Sequence, residues 1–572
     1  MPRARPYLWF ALRFALPLLA GVMLFWRLGG IGLVGPDEPR YAQIAAEMVT
    51  SHDYVTPRLM GQPWFEKPVL YYWLAAANFH LFGVTDVAAR LPAALLGLAL
   101  CLGISLFLYR ERGERAAFIG GLLALTSAFV VGYARAAAMD MPLTAPLALA
   151  QFALFAWLQH DVAGRSRPAR RWLAAAAVLL GLATLAKGPV ALVLAGGTLL
   201  AYALWKRHPA WAWATVRPWS VALYLAVTAP WYVVVARRHP GFLRIFFLQH
   251  NLERFSSGVF HHAQPFWFYL PMLLAAIFPW SALLVLPWID WRRHGWPSAP
   301  DAAPSSKPYL LCWGLVPLVF FSLSRSKLPG YILPAVPALI ALIALAADDL
   351  WDRLPRWPLQ VSAASAAALL LGFPLWLDAR LAKALSVTGR AHLDIGFSAM
   401  HLLAIAVLVW LLWRGSRPLL FGAAALAMAL AVLAGTGRYA STLNTLLSAR
   451  PLADVVAAQP IPATPTFPRS AEPGTGQSDG EVPAAFAQAC PLWGWRLQRE
   501  TRYGAEFYLH RVLPELSETA SDAWPPRPIW VVINARDSQQ FSLAAQAAGR
   551  TLTSLTVAPA TPWRVFRVAG QP

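Results

Sequence analysis

Acidic residues are scarce in this sequence: 28 Asp and Glu stand against 48 Lys and Arg among 572 residues, and all charged types together make up 13%. So little charge, beside 58% hydrophobic residues and a mean hydropathy of +0.48, excludes both an ordinary soluble domain and a disordered chain. Cysteine is scarcer still. Cys101 and Cys312 lie in apolar runs and Cys490 in a polar tail, with neither the number nor the spacing of a metal knuckle or a disulfide framework. No glycine-rich nucleotide loop stands beside the acidic residues, and no nucleic-acid module accompanies the net charge of +20. The basic residues fall instead in short loops between apolar runs, where they orient membrane spans and meet anionic lipid.

Long apolar runs are what the sequence has in abundance. Fourteen stretches, from 8–28 to 418–435, approach the ~20 residues that a hydrocarbon core requires. The first follows Arg3 and Arg5 without a small-residue cleavage site and reads as an anchor. The run at 68–84 decides the topology. If it crosses, the basic loops "RERGER" (110–115), "GRSRPARR" (164–171) and "WKRHP" (205–209) all fall outside, against the positive-inside rule. If it lies along the interface, those loops become cytoplasmic, leaving about 13 spans, an inside N-terminus and an outside C-terminus. The chain then divides into a membrane part, 1–436, and a tail, 437–572. In the tail, "PIWVVINA" (528–535) and "WRVFRVA" (563–569) read as strands of a small α/β domain, and 461–480 reads as a Pro/Gly/Ser-rich loop.

With that topology, nearly every unusual polar residue faces one compartment. "GPDEPRYAQIA" carries Asp37, Glu38 and Arg40 just after the first run, and "AAAMDMP" places Asp140 at the edge of another. An acid at such a boundary can cap the following helix. Two carboxylates at one membrane depth also suit a shared polar cavity. "PWFEKP" sets Glu66 beside Lys67, either a surface ion pair or a lysine for a lipid phosphate. His261 and His262 can be structural or can offer imidazole to zinc with a nearby acid. "SRSKLPGYILP" adds Lys327 and Tyr331, and Arg254 precedes the histidine pair. Lys187, in "AKGPV", suits a plain helix end at least as well as a site.

Taken in order, "GPDEPRYAQIAAEM", "PWFEKPVLYYWL", "ARAAAMDMP", "FHHAQPFWFYLP" and "SRSKLPGYILPAVPAL" resemble the bacterial transferases that move 4-amino-4-deoxy-L-arabinose from undecaprenyl phosphate to lipid A. These belong with the protein O-mannosyltransferases among membrane glycosyltransferases. The resemblance covers most of the membrane part and extends loosely to "YGAEFYLHR" (503–511). It implies a polytopic α-helical GT-C fold with about 13 transmembrane helices, interfacial helices in the first outer loop and a periplasmic C-terminal α/β domain. It also implies an inner-membrane, inverting enzyme, working as a monomer among membrane lipids with no nucleic-acid partner. By motif, Asp37 and Asp140 match the family's active-site acids. Lys67 matches the lysine at the lipid phosphate, and Arg40 and Tyr331 match positions near the acid and the phosphate. Arg254 and Lys327 are further cations for anionic groups, and Glu66, His261 and His262 match a cluster for zinc or another divalent metal. A transferase of another polyprenyl-phosphate sugar and a lipid flippase are the competing readings; the flippase would call for paired half-helices with repeat symmetry, which the sequence does not display.

Overall fold

A computed structural model describes residues 15–247, 264–295, 303–385, 406, 409–410, 415–459, 461–462, 484–516, 524–555 and 563–570. Arg254, His261 and His262 lie outside these residues, as do most of the apolar run at 398–413 and the Pro/Gly/Ser-rich loop from residue 463 onward. Among the described residues, eight helices are long and apolar enough to cross a membrane, or up to ten if each of two bent helix pairs is one span. Ala15–Phe25 and Val190–Trp205 are shorter apolar helices.

The chain enters the site through α1 (Asp37–Ser51), whose first turn carries Asp37 and Glu38 and which ends at His52 in the left-handed conformation. Carboxylates there face the positive end of the helix dipole. A two-residue hairpin, Arg58–Leu59 with Gln62–Pro63, leads to α2 (Leu70–Phe82). At 13 residues α2 is about 20 Å long, short of the ~30 Å hydrocarbon thickness. α3 (Asp86–Arg112) begins with the Thr85 hydroxyl accepting from the Ala88 amide and runs for 27 residues.

Two further helices build the centre. Over its most apolar 18 residues, α4 (Asp140–Val162) is 89% buried, whereas α6 (Pro218–Arg238) is only 22% buried. The first is therefore wrapped by other helices and the second presents its side chains outward, and α5 (Ser166–Lys187) packs between them. Leu95, Leu102, Leu106 and Leu200 stand exposed on apolar helices, a surface suited to lipid.

At the end of the bundle remote from Asp37, ion pairs tie five helices. Lys307 bridges Asp290 at 2.5 Å and Asp349 at 2.6 Å, Arg112 meets Asp349 at 3.3 Å, and Arg115 pairs with Asp348.

The tail carries a four-stranded sheet of β1 (Leu492–Trp495), β2 (Ile529–Asn534), β3 (Leu552–Leu555) and β4 (Trp563–Val568), in spatial order β1-β2-β4-β3. β1 and β2 are parallel and the other pairs antiparallel. The two segments expected as strands are β2 and β4, and Val531, Val532 and Ile533 of β2 are fully buried. Between β1 and β2 runs α7 (Arg499–Leu509), which packs on α1.

Candidate active site

Adjacent in sequence, Asp37 and Glu38 point to different environments. Glu38 is buried, and Arg90 of α3 grips it through two bonds, Nε to Oε1 at 2.9 Å and Nη2 to Oε2 at 2.5 Å. The amides of Val34 and Ala137 donate to the same carboxylate at 2.6 and 2.7 Å. With four donors, Glu38 is a structural anchor. Asp37 is 48% exposed, and its Oδ1 accepts from Arg40 Nη2 at 2.6 Å. The open carboxylate is thus held at the N-terminus of α1 by its buried neighbour.

Arg40 is the hub of the first cluster. Its guanidinium, 12% exposed, lies 3.4 Å from Glu66 Oε2 and over the rings of Tyr41, Trp64 and Tyr503 at 5.0, 5.4 and 5.9 Å. Burial opposes its charge, but Glu66, Tyr41 and Asp37 outweigh this and hold its pKa well above the ordinary value. Lys67 Nζ lies 3.0 Å from Glu66 Oε1, so one carboxylate stands between two cations. Arg40 Nε, Trp64 Nε1 and Tyr72 Oη are buried without a hydrogen-bond partner. Burial raises the Tyr72 phenol well above its ordinary pKa, with Glu66 adding to the rise, so it remains a donor. Three idle donors around Arg40 suit an oxygen-rich ligand.

A second cluster forms where α4 and α5 meet the loop before Val336. Lys187 Nζ is 2.7 Å from Asp140 Oδ1 and 4.9 Å from the Tyr331 ring centroid. Gly330 packs directly against both Asp140 and Tyr133: a Cβ there would sit 2.7 Å from Asp140 Oδ1 and 2.6 Å from the Tyr133 hydroxyl. Tyr133 lies within electrostatic reach of both Asp140 and Asp37. Thr184, one turn before Lys187, lines an almost wholly apolar cavity of 410 Å³ bounded also by Leu192, Tyr224, Leu225, Tyr232 and Phe247.

Of the residues singled out from sequence, the fold gathers Asp37, Arg40, Glu66 and Lys67 in one cluster and Asp140 and Tyr331 in the other. Lys327 is turned elsewhere: it is buried, and its ammonium donates to the carbonyls of Ser324 and, at 3.2 Å, Gln264. Arg254, His261 and His262 lie outside the described residues, so the metal cluster has only Glu66 within them. That carboxylate already faces Lys67 and Arg40, and among the described residues no group of three or more His, Cys, Asp or Glu side chains gathers to hold a metal. Of the expected metal set, Glu66 alone is within the described residues, and there it serves as counter-ion to Arg40 and Lys67. Lys187 carries more than its motif suggested, and Arg90 was not singled out from sequence at all. Arg90 had a readable signal, as a charged residue inside an apolar run needs a buried partner.

Comparison with known proteins places this geometry. A family model described as dolichyl-phosphate-mannose-protein mannosyltransferase matches residues 18–246. An undecaprenyl phosphate-α-4-amino-4-deoxy-L-arabinose arabinosyl transferase of Pseudomonas savastanoi pv. phaseolicola is 35% identical over 415 residues, 71% of this chain and 74% of that protein. The chain belongs to this arabinosyl transferase family. A member from Pseudomonas fluorescens is 36% identical over 336 residues, 57% of this chain and 54% of that protein, so the chain matches only about half of that relative's length. The crystal structure of ArnT from Cupriavidus metallidurans bound to undecaprenyl phosphate has a TM-score of 0.68 and 25% identity, with 97% of both chains covered. The fold is the helical GT-C membrane type, and the protein is a multi-pass membrane protein.

Proposed function

We propose that the protein transfers 4-amino-4-deoxy-L-arabinose from undecaprenyl phosphate to a lipid A phosphate at the periplasmic face of the inner membrane. The observation that carries this reading is the half-exposed Asp37 carboxylate, fixed by its buried neighbour and set beside the Arg40, Glu66 and Lys67 cluster. Family membership supports the lipid-linked donor. The apolar cavity one turn from Lys187 supports room for hydrocarbon near the polar clusters. The same reading takes about 13 spans, a membrane part at 1–436, a periplasmic tail at 437–572 and a monomer.

In the reaction, the bond from the anomeric carbon to the donor phosphate breaks as an acceptor phosphate oxygen bonds to that carbon from the opposite face. The electron pair leaves with undecaprenyl phosphate. Its departure calls for stabilisation of growing negative charge, which Lys67 supplies, with Arg254 as a further cation. An acceptor phosphate is already ionised at neutral pH, so no proton need be removed from it. Asp37 then stabilises positive charge developing on the sugar or, alternatively, orients the acceptor. The idle donors of Arg40, Trp64 and Tyr72 meet substrate oxygens, and Asp140 with Lys187 and Tyr331 lines the far side of the site.

The mannosyltransferase family match favours one further reading, transfer of another polyprenyl-phosphate sugar to a hydroxyl; there Asp37 removes the acceptor proton. Protein in sealed proteoliposomes, given lipid A and either the aminoarabinose donor or a polyprenyl-phosphate hexose, separates the readings by mass spectrometry of lipid A and by the accessibility of the donor in each leaflet. Covalent gain of the aminopentose is expected, and Lys67→Ala should weaken donor use. Transfer of hexose alone would replace the sugar assignment, and movement of donor across the bilayer without covalent transfer would overturn the enzyme reading in favour of a flippase.

A further inference from the structure

The segment Gly29–Val34, which leads into the Asp37 turn, lies in no helix or extended strand, so its peptide groups must find partners elsewhere. From the bundle side, Arg90 donates to the carbonyls of Leu28, Ile31 and Gly32 at 3.0, 2.5 and 2.8 Å. Within the segment's own neighbourhood the Gly30 amide donates to the Arg27 carbonyl and the Val34 amide to Glu38, and from the other side every further partner but Asp86 comes from residues more than 400 positions away. Asn444 accepts from the Gly32 amide at 2.6 Å and donates to the Gly30 carbonyl at 3.1 Å. Ser448 forms a backbone bridge with Val34, and Arg450 donates to the Gly29 carbonyl at 3.3 Å.

Tyr508 completes the ring. Its hydroxyl accepts from the Leu33 amide at 2.6 Å and donates to Asp86 Oδ1 at 2.5 Å, while Arg450 holds the other oxygen of Asp86 and lies over the Tyr508 ring at 5.7 Å. A Cβ at Gly32 would come within 2.6 Å of the Tyr508 hydroxyl, so the approach is as close as a glycine allows. Only Gly35 and Pro36 separate this clamped segment from Asp37, and the ring of Tyr503, on the same helix as Tyr508, lies over Arg40, the Asp37 partner.

We propose that the tail is a working part of the transfer site: Asn444, Arg450 and Tyr508, with Asp86, are positioning residues that hold Gly29–Val34 and so aim the Asp37 carboxylate. This rests on the reading of Asp37 as the active-site carboxylate. A positioning role acts on the chemical step and not on donor capture, since the bonds of the clamp end on Gly29–Val34 and Asp86 and bear on Asp37 through the chain.

Tyr508→Phe keeps the ring and removes the hydroxyl. In the full chain in nanodiscs, it should lower kcat about tenfold with donor KM unchanged, because small misplacements of a reacting group are costly. The same variant should speed hydrogen exchange at the Leu33 amide. In a double-mutant cycle with Asp37→Asn, Tyr508→Phe should add no further loss, since it acts through Asp37. An unchanged kcat, unchanged Leu33 exchange, or losses that multiply with those of Asp37→Asn would each overturn the proposal. Full activity of Asp37→Asn alone would instead remove the reading of Asp37, while Leu33 exchange would still report whether the clamp exists. Asn444→Asp, which keeps the bond to Gly32 and loses the one to Gly30, should reproduce the fall in kcat should Tyr508→Phe not fold; a folded Asn444→Asp with normal kcat would equally overturn it.

Discussion

The ammonium of Lys187 lies 2.7 Å from Asp140 Oδ1, with side chains 14% and 15% exposed, and joins the end of one central helix to the start of another. A carboxylate so enclosed depends on its cation. Lys187→Met should destabilise the protein by roughly 3 kcal/mol, because Asp140 is left buried without a partner. Adding Asp140→Asn should restore most of that loss, as read by thermal unfolding in detergent. Activity should stay low in both. Additive destabilisation in the double variant would refute the pairing.

Asp37 and Glu38 should separate cleanly on mutation. Asp37→Asn should leave a folded membrane protein whose transfer rate falls at least about a hundredfold. Glu38→Gln weakens the anchor of the buried Arg90 and should cost roughly 3 kcal/mol of stability. Expression level with thermal unfolding, set beside transfer rate, gives the contrast; equal stability of the two variants would contradict it.

Gly330 is the closest neighbour of the second cluster. Gly330→Ala places a methyl group within 2.7 Å of Asp140 Oδ1, too close for either to stay in place. Transfer should fall about tenfold or more with little effect on expression, because the displaced groups are side-chain ends and not backbone. Normal kinetics in that variant would mean that Asp140 has room to move without consequence.

Glu506 of α7 makes the docking of the tail depend on pH. Its carboxyl is wholly buried, with Oε2 lacking a partner, and its pKa is pushed up to about 7 from an ordinary 4.5. Burial is the main cause; Arg502 and the Leu513 amide pull the other way, and Glu47 of α1 adds to the rise. A raised carboxyl pKa means that the folded state holds the proton more tightly than the unfolded one. The contribution to stability is therefore full below pH 4.5 and is lost as pH rises through about 7, amounting to ~3 kcal/mol. Hydrogen exchange of the α7 amides, relative to intrinsic rates, should show weaker protection at pH 8 than at pH 5. Glu506→Gln should abolish that slope, and an unchanged slope would assign it to another group.

Much of the architecture was legible before any coordinate. Apolar runs report the solvent each segment will meet, so the helical membrane class and the two strands β2 and β4 follow from local composition. The acidic turn and the "EKP" motif were legible too, because the charge at 37, 40, 66 and 67 is concentrated in short stretches that apolar neighbours leave conspicuous. The spacing along the chain carried no information about division of labour. Nothing in "DEPR" distinguishes a solvent-facing Asp37 from an anchored Glu38 until Arg90, 52 residues on, reaches one of them.

Hydropathy along the chain, summed over a window, determined by itself what dissolves in what, since transfer from water is a local property of each segment. Partnership was decided only by packing. Lys187 meets Asp140 across 47 residues, Tyr508 meets Asp86 across 422, and Lys327 spends its charge on the carbonyls of Ser324 in its own loop and of Gln264, 63 residues away. Such pairs depend on which helix faces are brought together in three dimensions, and a charged side chain in a buried place takes whichever opposite charge or carbonyl that packing brings within about 3 Å.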